Sequence, residues 1–319
     1  MNSFDELLSP ADPRQFFLEY WHRKPLLIRG AQDKFRQFPS LNELPSLLNG
    51  RLSANRWAKG HAQSAQASFT DRLGQIKSLS AVPTMWPDLF NAGFSLCFSA
   101  LDQYHEELRA LTDGIASTTS YPGTIFTTGY LTPRHSGTSM HFDGHHAFFM
   151  QIAGEKHWKV AKGIAWQDAP SNVSLSSLGT PGMKILCESL GVAVATPEDT
   201  GLWEATLTPG DVLYLPPGVW HEGHTSESHS LHYTLGFAPL GPWHLAVAYM
   251  RQAFFARPAL RRDIRFVTES GDGNTTDLIE AALAELRDTI NGLTATDLES
   301  FFTHISSLNS PLRGYLMQP

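Results

Sequence analysis

The chain has 319 residues, 42% of them hydrophobic, and a formal net charge of −7. That length holds a large barrel domain and one smaller domain with ordinary globular cores, and the acidic balance argues against direct nucleic-acid binding. Cys97 and Cys187 are the only cysteines, too few for a disulfide framework or a sulfur-rich metal site, and they fit a reducing compartment. The longest apolar runs are too short to cross a bilayer. The opening MNSFDELLSP carries early acids in place of an apolar signal core, so a cytoplasmic protein is expected.

Three parts follow along the chain: residues 1–120 of mixed α/β character packing on a barrel, a barrel over 121–243, and a helical region over 244–319. In the first part, Asp12-Pro13 opens a helix with Phe16, Phe17, Tyr20 and Trp21 at helical spacing. Pro25 to Arg29 reads as a short strand. Trp57 to Leu79 is polar and gives no clear pattern, and a second helix is expected from Leu101 to Ile115. In the barrel, strands are expected at Thr124–Leu131, His145–Ala153, Lys156–Ala161, Asp211–Leu215 and His229–Phe237. Gly154-Glu155 reads as a glycine-first hairpin turn between two of them. Residues 162–205 form a long Ser/Gly/Pro-containing insert, a length that is functional or mobile in most proteins. In the last part, Ile279, Leu283, Leu286 and Ile290 make an apolar helical stripe, suited to a homodimer contact or to packing on the barrel. Arg257, Arg261, Arg262 and Arg265 form a small basic stripe that reads as a solvated helix face.

The chemistry concentrates in His141-Phe142-Asp143 and, about eighty residues later, His221 in the run PPGVWHEG. Residues two apart on a strand share a face, so His141 and Asp143 can reach one metal while Phe142 packs away. Two imidazoles and one carboxylate occupy one face of an octahedral Fe(II) and leave other positions open. Gly210-Asp211 marks a turn, Val212 to Leu215 a buried strand, and Pro216-Pro217-Gly218 a break before His221. Nine of the fourteen histidines lie between His135 and His232. His145 and His146 are therefore rival ligands, and His224, His229 and His232 read as bystanders.

These residues carry a resemblance. The segments from Phe17 to Gly30 (FLEYWHRKPLLIRG), His141-Phe-Asp143, Gly154-Glu-Lys-His-Trp158, and Pro209-Gly-Asp-Val-Leu-Tyr-Leu-Pro-Pro-Gly218 through His221 resemble a Jumonji-C-type (cupin-like) 2-oxoglutarate oxygenase. Within that family they are most like the bacterial ribosomal-oxygenase-like protein hydroxylases. The resemblance covers roughly residues 14 to 240. It implies a mainly β fold with flanking helices: a double-stranded β-helix (jelly-roll, cupin) core plus a C-terminal helical region. It also implies Fe(II) held by His141, Asp143 and His221, with 2-oxoglutarate and dioxygen as cosubstrates.

At the place of Lys156 the family pattern has a basic residue that binds the distal carboxylate of 2-oxoglutarate. A dianion leaving water needs such a fixed cation; the contact is worth on the order of 4 kcal/mol before desolvation. Thr138 matches the family's threonine ahead of the motif, and Thr234 could add a second hydroxyl. Tyr130 and Arg134, just ahead of the motif, and Trp220, beside His221, are candidates to meet the substrate. Phe148, Phe149, Trp158, Tyr214 and Phe237 read as barrel core. The implied activity is hydroxylation of an amino-acid side chain in a protein or peptide partner, basic in character, with a ribosomal protein among the options. Three alternatives stay open: a 2-oxoglutarate-dependent hydroxylase of a small molecule or peptide natural product, a cupin metalloenzyme that does not need Lys156, and a non-catalytic binding protein.

Overall fold

The computed structural model describes residues 1–43, 65–70, 76–81, 83–119, 121, 123–258 and 275–307. Two compact units divide the chain, Met1–Ala238 and Pro239–Pro319.

The first unit contains thirteen strands among the described residues: β1 Leu26–Ile28, β2 Ala65–Thr70, β3 Ile76–Ala81, β4 Ser95–Phe98, β5 Thr124–Thr132, β6 Gly137–Phe142, β7 His146–Gly154, β8 Lys156–Ala161, β9 Val173–Ser174, β10 Leu202–Leu207, β11 Val212–Leu215, β12 His221–His224 and β13 Ser230–Ala238. Its helices are α1 Phe4–Leu8, α2 Pro13–Glu19, α3 Trp86–Asn91, α4 Glu106–Thr119, α5 Pro181–Leu190 and α6 Pro197–Thr200. The strands form an eight-stranded sheet ordered β1-β11-β7-β13-β5-β4-β2-β3 and a five-stranded sheet ordered β10-β8-β12-β6-β9. The N-terminal part thus supplies β1 to β4 to the large sheet itself.

The alternation of β13 separates the two faces of the large sheet. Leu231, Tyr233, Leu235 and Phe237 join a core with Phe4, Leu7, Phe16 and Phe148. His232 and Thr234 point the other way, toward the small sheet. Each fully buried large apolar side chain in that core contributes roughly 1.5–3 kcal/mol. Helix α2 starts as its sequence suggests: Asp12 caps the amide of Gln15 at 2.9 Å, with Pro13 in the first turn.

Several expectations change. Gly154-Glu155 is no hairpin turn: β7 lies in the large sheet and β8 in the small one, so the turn carries the chain between sheets. Gly154 has φ of 63°, which a side chain would strain. The 162–205 insert contains β9, α5, α6 and the start of β10, and β9 and β10 are the two edges of the small sheet. Part of Trp57–Leu79 is β2 and the start of β3; its remaining residues lie outside the described ones.

In the second unit, α7 spans Pro242–Phe255, α8 Thr275–Asn291 and α9 Ala295–Ser307. Ala248 and Phe301 are buried, and Tyr249 meets Phe301 edge-on at 5.5 Å. Of the apolar stripe, Ile279, Leu283 and Ile290 are exposed. Arg257 pairs with Glu285 at 2.8 Å; Arg261, Arg262 and Arg265 lie outside the described residues.

Candidate metal centre and carboxylate pocket

His141 is the last residue but one of β6, Asp143 follows the end of that strand, and His221 opens β12 directly opposite His141 in the small sheet. One ligand atom from each of the three lies within 4.8 Å of the others. His221 Nε2 is 3.7 Å from Asp143 Oδ2, and the two imidazole centroids are 4.3 Å apart. Both rings are held by the other nitrogen: His141 Nδ1 bonds to the Ser139 carbonyl at 2.7 Å and His221 Nδ1 to the Val219 carbonyl at 2.9 Å. A carbonyl only accepts, so Nδ1 carries the proton and each Nε2 keeps a free lone pair. The two halves of the motif are tied directly, since Gly218 of the PPG turn donates its N–H to the Asp143 carbonyl at 2.9 Å.

The charges suit a divalent metal. Burial, aided by the neighbouring His141, lowers His221 to about 3, so the ring is neutral at ordinary pH. Burial pushes the Asp143 carboxyl up, but His145, His141 and His221 together outweigh it and hold the group below its usual value. A neutral imidazole and an ionised carboxylate are the states a metal takes.

Of the rival ligands, His146 turns to the other face of the large sheet. It bonds to Tyr214 Oη at 2.9 Å and to His22 Nε2 at 3.1 Å, and it stacks on Trp21 at 3.8 Å. His145 lies against Phe126 and is not part of the three-residue cluster. His157 and His224 are exposed on the outer side of β8 and β12.

Lys156 is 2% exposed. Its Nζ is 3.4 Å from Thr132 Oγ1 and 5.1 Å from the Trp158 ring centroid. Desolvation lowers the ammonium to about 7. Near it, His232 Nδ1 and Trp158 Nε1 are buried polar atoms without a hydrogen-bond partner, and so is Thr234 Oγ1, two residues beyond His232 on β13. His232 lies 5.7 Å from Trp158 and stacks on Tyr130 at 5.0 Å. Phe149 bridges His221 and His232, at 5.6 and 5.8 Å between ring centroids. A buried cation beside orphaned donors costs stability unless an anion joins them. The set fits a carboxylate, and Phe149 and Trp158 connect it to the triad.

Thr138 reaches this pocket through a bulge. His221 pairs with His141 but Gly223 pairs with Thr138, so β6 advances three residues while β12 advances two. Regular alternation would put Thr138 on the opposite face from His141; the extra residue returns it to the same face. Gly223 makes the room: a Cβ there would sit 2.9 Å from Lys156 Cε and 3.1 Å from the Trp158 ring.

The substrate candidates separate. Tyr130 is half-buried on the inner face and remains beside the pocket. Arg134 is exposed in the turn between β5 and β6. Trp220 does not line the mouth of the site. It is fully buried, donates its indole N–H to the Ala195 carbonyl at 2.8 Å and packs on Phe142 at 4.5 Å. Neighbours on a strand face opposite ways, so a residue beside an inward His221 belongs to the outer wall. Sequence reading missed His232, Trp158 and Gly223 as pocket residues. The shared parity of His232 with Thr234 was the available signal.

Residues 103–241 match the JmjC domain family. The chain is 27% identical over 223 residues to the uncharacterized protein YxbC of Bacillus subtilis, covering 68% of this chain and 65% of YxbC. It is 26% identical over 260 residues to ribosomal oxygenase 1 of Homo sapiens, covering 75% of this chain and 35% of that protein. The chain therefore spans less than two thirds of the length of these curated relatives. Among solved structures, Escherichia coli ribosomal oxygenase YcfD superposes with a TM-score of 0.55 at 16% identity, covering 92% of this chain and 70% of YcfD. Its complex with cobalt and 2-oxoglutarate gives 0.54 at 17%, covering 89% and 68%. The sheets, the paired motifs and these likenesses agree: the chain carries a JmjC domain over residues 103–241 on a cupin-type double-stranded β-helix.

Proposed function

We propose that the protein is an Fe(II)- and 2-oxoglutarate-dependent oxygenase that hydroxylates an amino-acid side chain of a protein, with ribosomal proteins as the first substrates to examine. The observation that carries this reading is the pairing of the His141, Asp143, His221 cluster with a buried, anion-seeking Lys156 inside one barrel. A cupin metalloenzyme without 2-oxoglutarate has no need of that buried cation. The ribosomal substrate rests on the ribosomal oxygenases among the relatives.

His141, Asp143 and His221 would hold the metal on one face, the Nδ1–H bonds to Ser139 and Val219 keeping both rings aimed. Lys156, with Thr234 and Thr138, would hold the distal carboxylate of 2-oxoglutarate, and Phe149 and Trp158 would exclude water between the two ends. When bound, iron and 2-oxoglutarate supply the oxidising chemistry: dioxygen is consumed, 2-oxoglutarate becomes succinate and carbon dioxide, and one oxygen atom enters a C–H bond. Tyr130, and Arg134 from its exposed turn, would be the first residues to examine for contact with the substrate. We place the enzyme in the cytoplasm as a homodimer through the exposed Ile279, Leu283 and Ile290 stripe.

The test incubates the full chain with Fe(II), 2-oxoglutarate and a mixture of ribosomal proteins, followed by intact-mass analysis. One protein should gain one oxygen atom, dependent on both additions and lost in His221→Ala. Succinate formation with no modified protein would contradict the protein substrate and favour a small molecule.

A further inference from the structure

We propose a second ligand site, on the face of the large sheet away from the metal cluster, that binds an alkylated ammonium group. A cavity of about 380 Å³ opens there, lined chiefly by Phe4, Phe17, Trp21, Tyr121 and Phe237, with Asp5 at its rim. The rings pack against one another, and Trp21 also meets Phe237 at 5.5 Å. Centroid separations are 5.3 Å for Phe4–Phe17, 5.9 Å for Phe17–Trp21, 6.3 Å for Trp21–Tyr121, 5.1 Å for Tyr121–Phe237 and 6.1 Å for Phe237–Phe4. Phe237 belongs to the outward set of β13 residues, so the metal cluster does not account for this cavity.

The charge at the rim selects the occupant. Asp5 is exposed and has no hydrogen-bond or ion-pair partner for its carboxylate among the described residues. The neighbouring acids are engaged: Glu6 accepts from the Asn2 amide at 2.7 Å and Asp12 from Gln15 at 2.9 Å. Helix α1 is only five residues long, so its dipole gives Asp5 little to answer. Tyr121 is anchored by its hydroxyl, which donates to the Ala238 carbonyl at 3.0 Å and leaves the ring as a wall.

Aromatic rings present negative π faces to a cation, and the carboxylate adds to that field. An anion is repelled, and a neutral apolar group gains nothing from Asp5. A small bare cation keeps its water too tightly to enter an apolar ring of side chains. An alkylated ammonium spreads its charge over methyl groups and satisfies both the rings and Asp5.

The test is a ligand-observed NMR titration of the full chain with choline, with the neutral analogue in which carbon replaces the quaternary nitrogen, and with an amide-capped trimethyllysine. Choline should bind saturably, and the neutral analogue more weakly by about 3- to 30-fold, the range of a cation–π contribution. Asp5→Asn should weaken choline at least about 3-fold without changing the neutral analogue or the melting temperature. Phe17→Ala, at a ring that is 42% exposed, should weaken both. Tighter binding of trimethyllysine than of choline assigns the group to a polypeptide side chain; the reverse assigns it to a free small molecule. Equal affinity for choline and its neutral analogue overturns the proposal. So does choline binding indifferent to both substitutions, or no saturable binding of any probe.

Discussion

The two faces of the large sheet follow opposite rules. On the outer face the buried histidine is fully engaged: His146 is bonded at both nitrogens and stacked on Trp21, and Tyr214 Oη also accepts the His22 amide at 3.1 Å. On the inner face, one residue away along the same strands, His232 and Thr234 are buried with unpaired atoms, His232 beside the buried Lys156. The first arrangement stabilises the fold. The second sacrifices stability, and that is the mark of a site shaped for something other than itself. Two histidines five residues apart, His141 in the small sheet and His146 on the outer face of the large one, likewise have unrelated roles.

The sharpest break in this contrast removes a metal ligand. His221→Ala should lower Fe(II) affinity by more than about 100-fold, since losing even a partner of a ligand costs up to that much. Equilibrium dialysis against Fe(II) under nitrogen checks it.

Lys156→Met should weaken 2-oxoglutarate binding by about 100-fold or more, read by calorimetry on the metal-loaded protein. The same substitution should raise the melting temperature of the ligand-free protein. Burial lowers the Lys156 ammonium from 10.5 to about 7, so between those values the unfolded chain binds more protons and stability rises with pH. Removing the group removes that penalty, with a gain of about 2–4 °C per kcal/mol in a unit of roughly this size. A lower melting temperature would mean the lysine is structural.

Carboxylate binding has the opposite pH sign. Only the ammonium form attracts the ligand, so affinity for 2-oxoglutarate should hold below about pH 7 and fall by up to about tenfold per unit above it. A flat profile from pH 6 to 9 in a calorimetric series would place the proton elsewhere.

Gly223→Ala sharpens the comparison by crowding the pocket alone. With its Cβ 2.9 Å from Lys156 Cε, it should cost about tenfold in 2-oxoglutarate affinity and leave Fe(II) binding unchanged. The smallest effect lies on the other face. Tyr214→Phe leaves the buried His146 Nδ1 unpaired and should cost about 1–3 kcal/mol of stability, seen in urea melts, with no change in cosubstrate affinity.

The sequence was most legible where local periodicity and fold agree. The strand Lys156–Ala161 falls as the apolar pattern indicates, and the spacing of His141 and Asp143 with the PPG turn before His221 brings the triad together. It was least legible where one residue breaks the period. The β6 bulge moves Thr138 inward, and no alternation rule could have said so; family resemblance, not local pattern, pointed there. Trp220 misled because adjacency in sequence is opposition on a strand. Gly154 misled because a glycine that reverses the chain within one sheet looks, in sequence, like one that carries it to another. His232 was hidden in a histidine-rich stretch, and only tertiary proximity to Lys156 distinguishes it from its neighbours.

The central claim, that metal cluster and buried lysine form one cosubstrate site, is tested most directly by anaerobic visible absorption of the apo-protein titrated with Fe(II) and then 2-oxoglutarate. A charge-transfer band should grow on the second addition in the wild type, be absent in His221→Ala, and require far more 2-oxoglutarate in Lys156→Met. An unchanged titration in Lys156→Met, or no band in wild-type protein with iron demonstrably bound, would contradict the account.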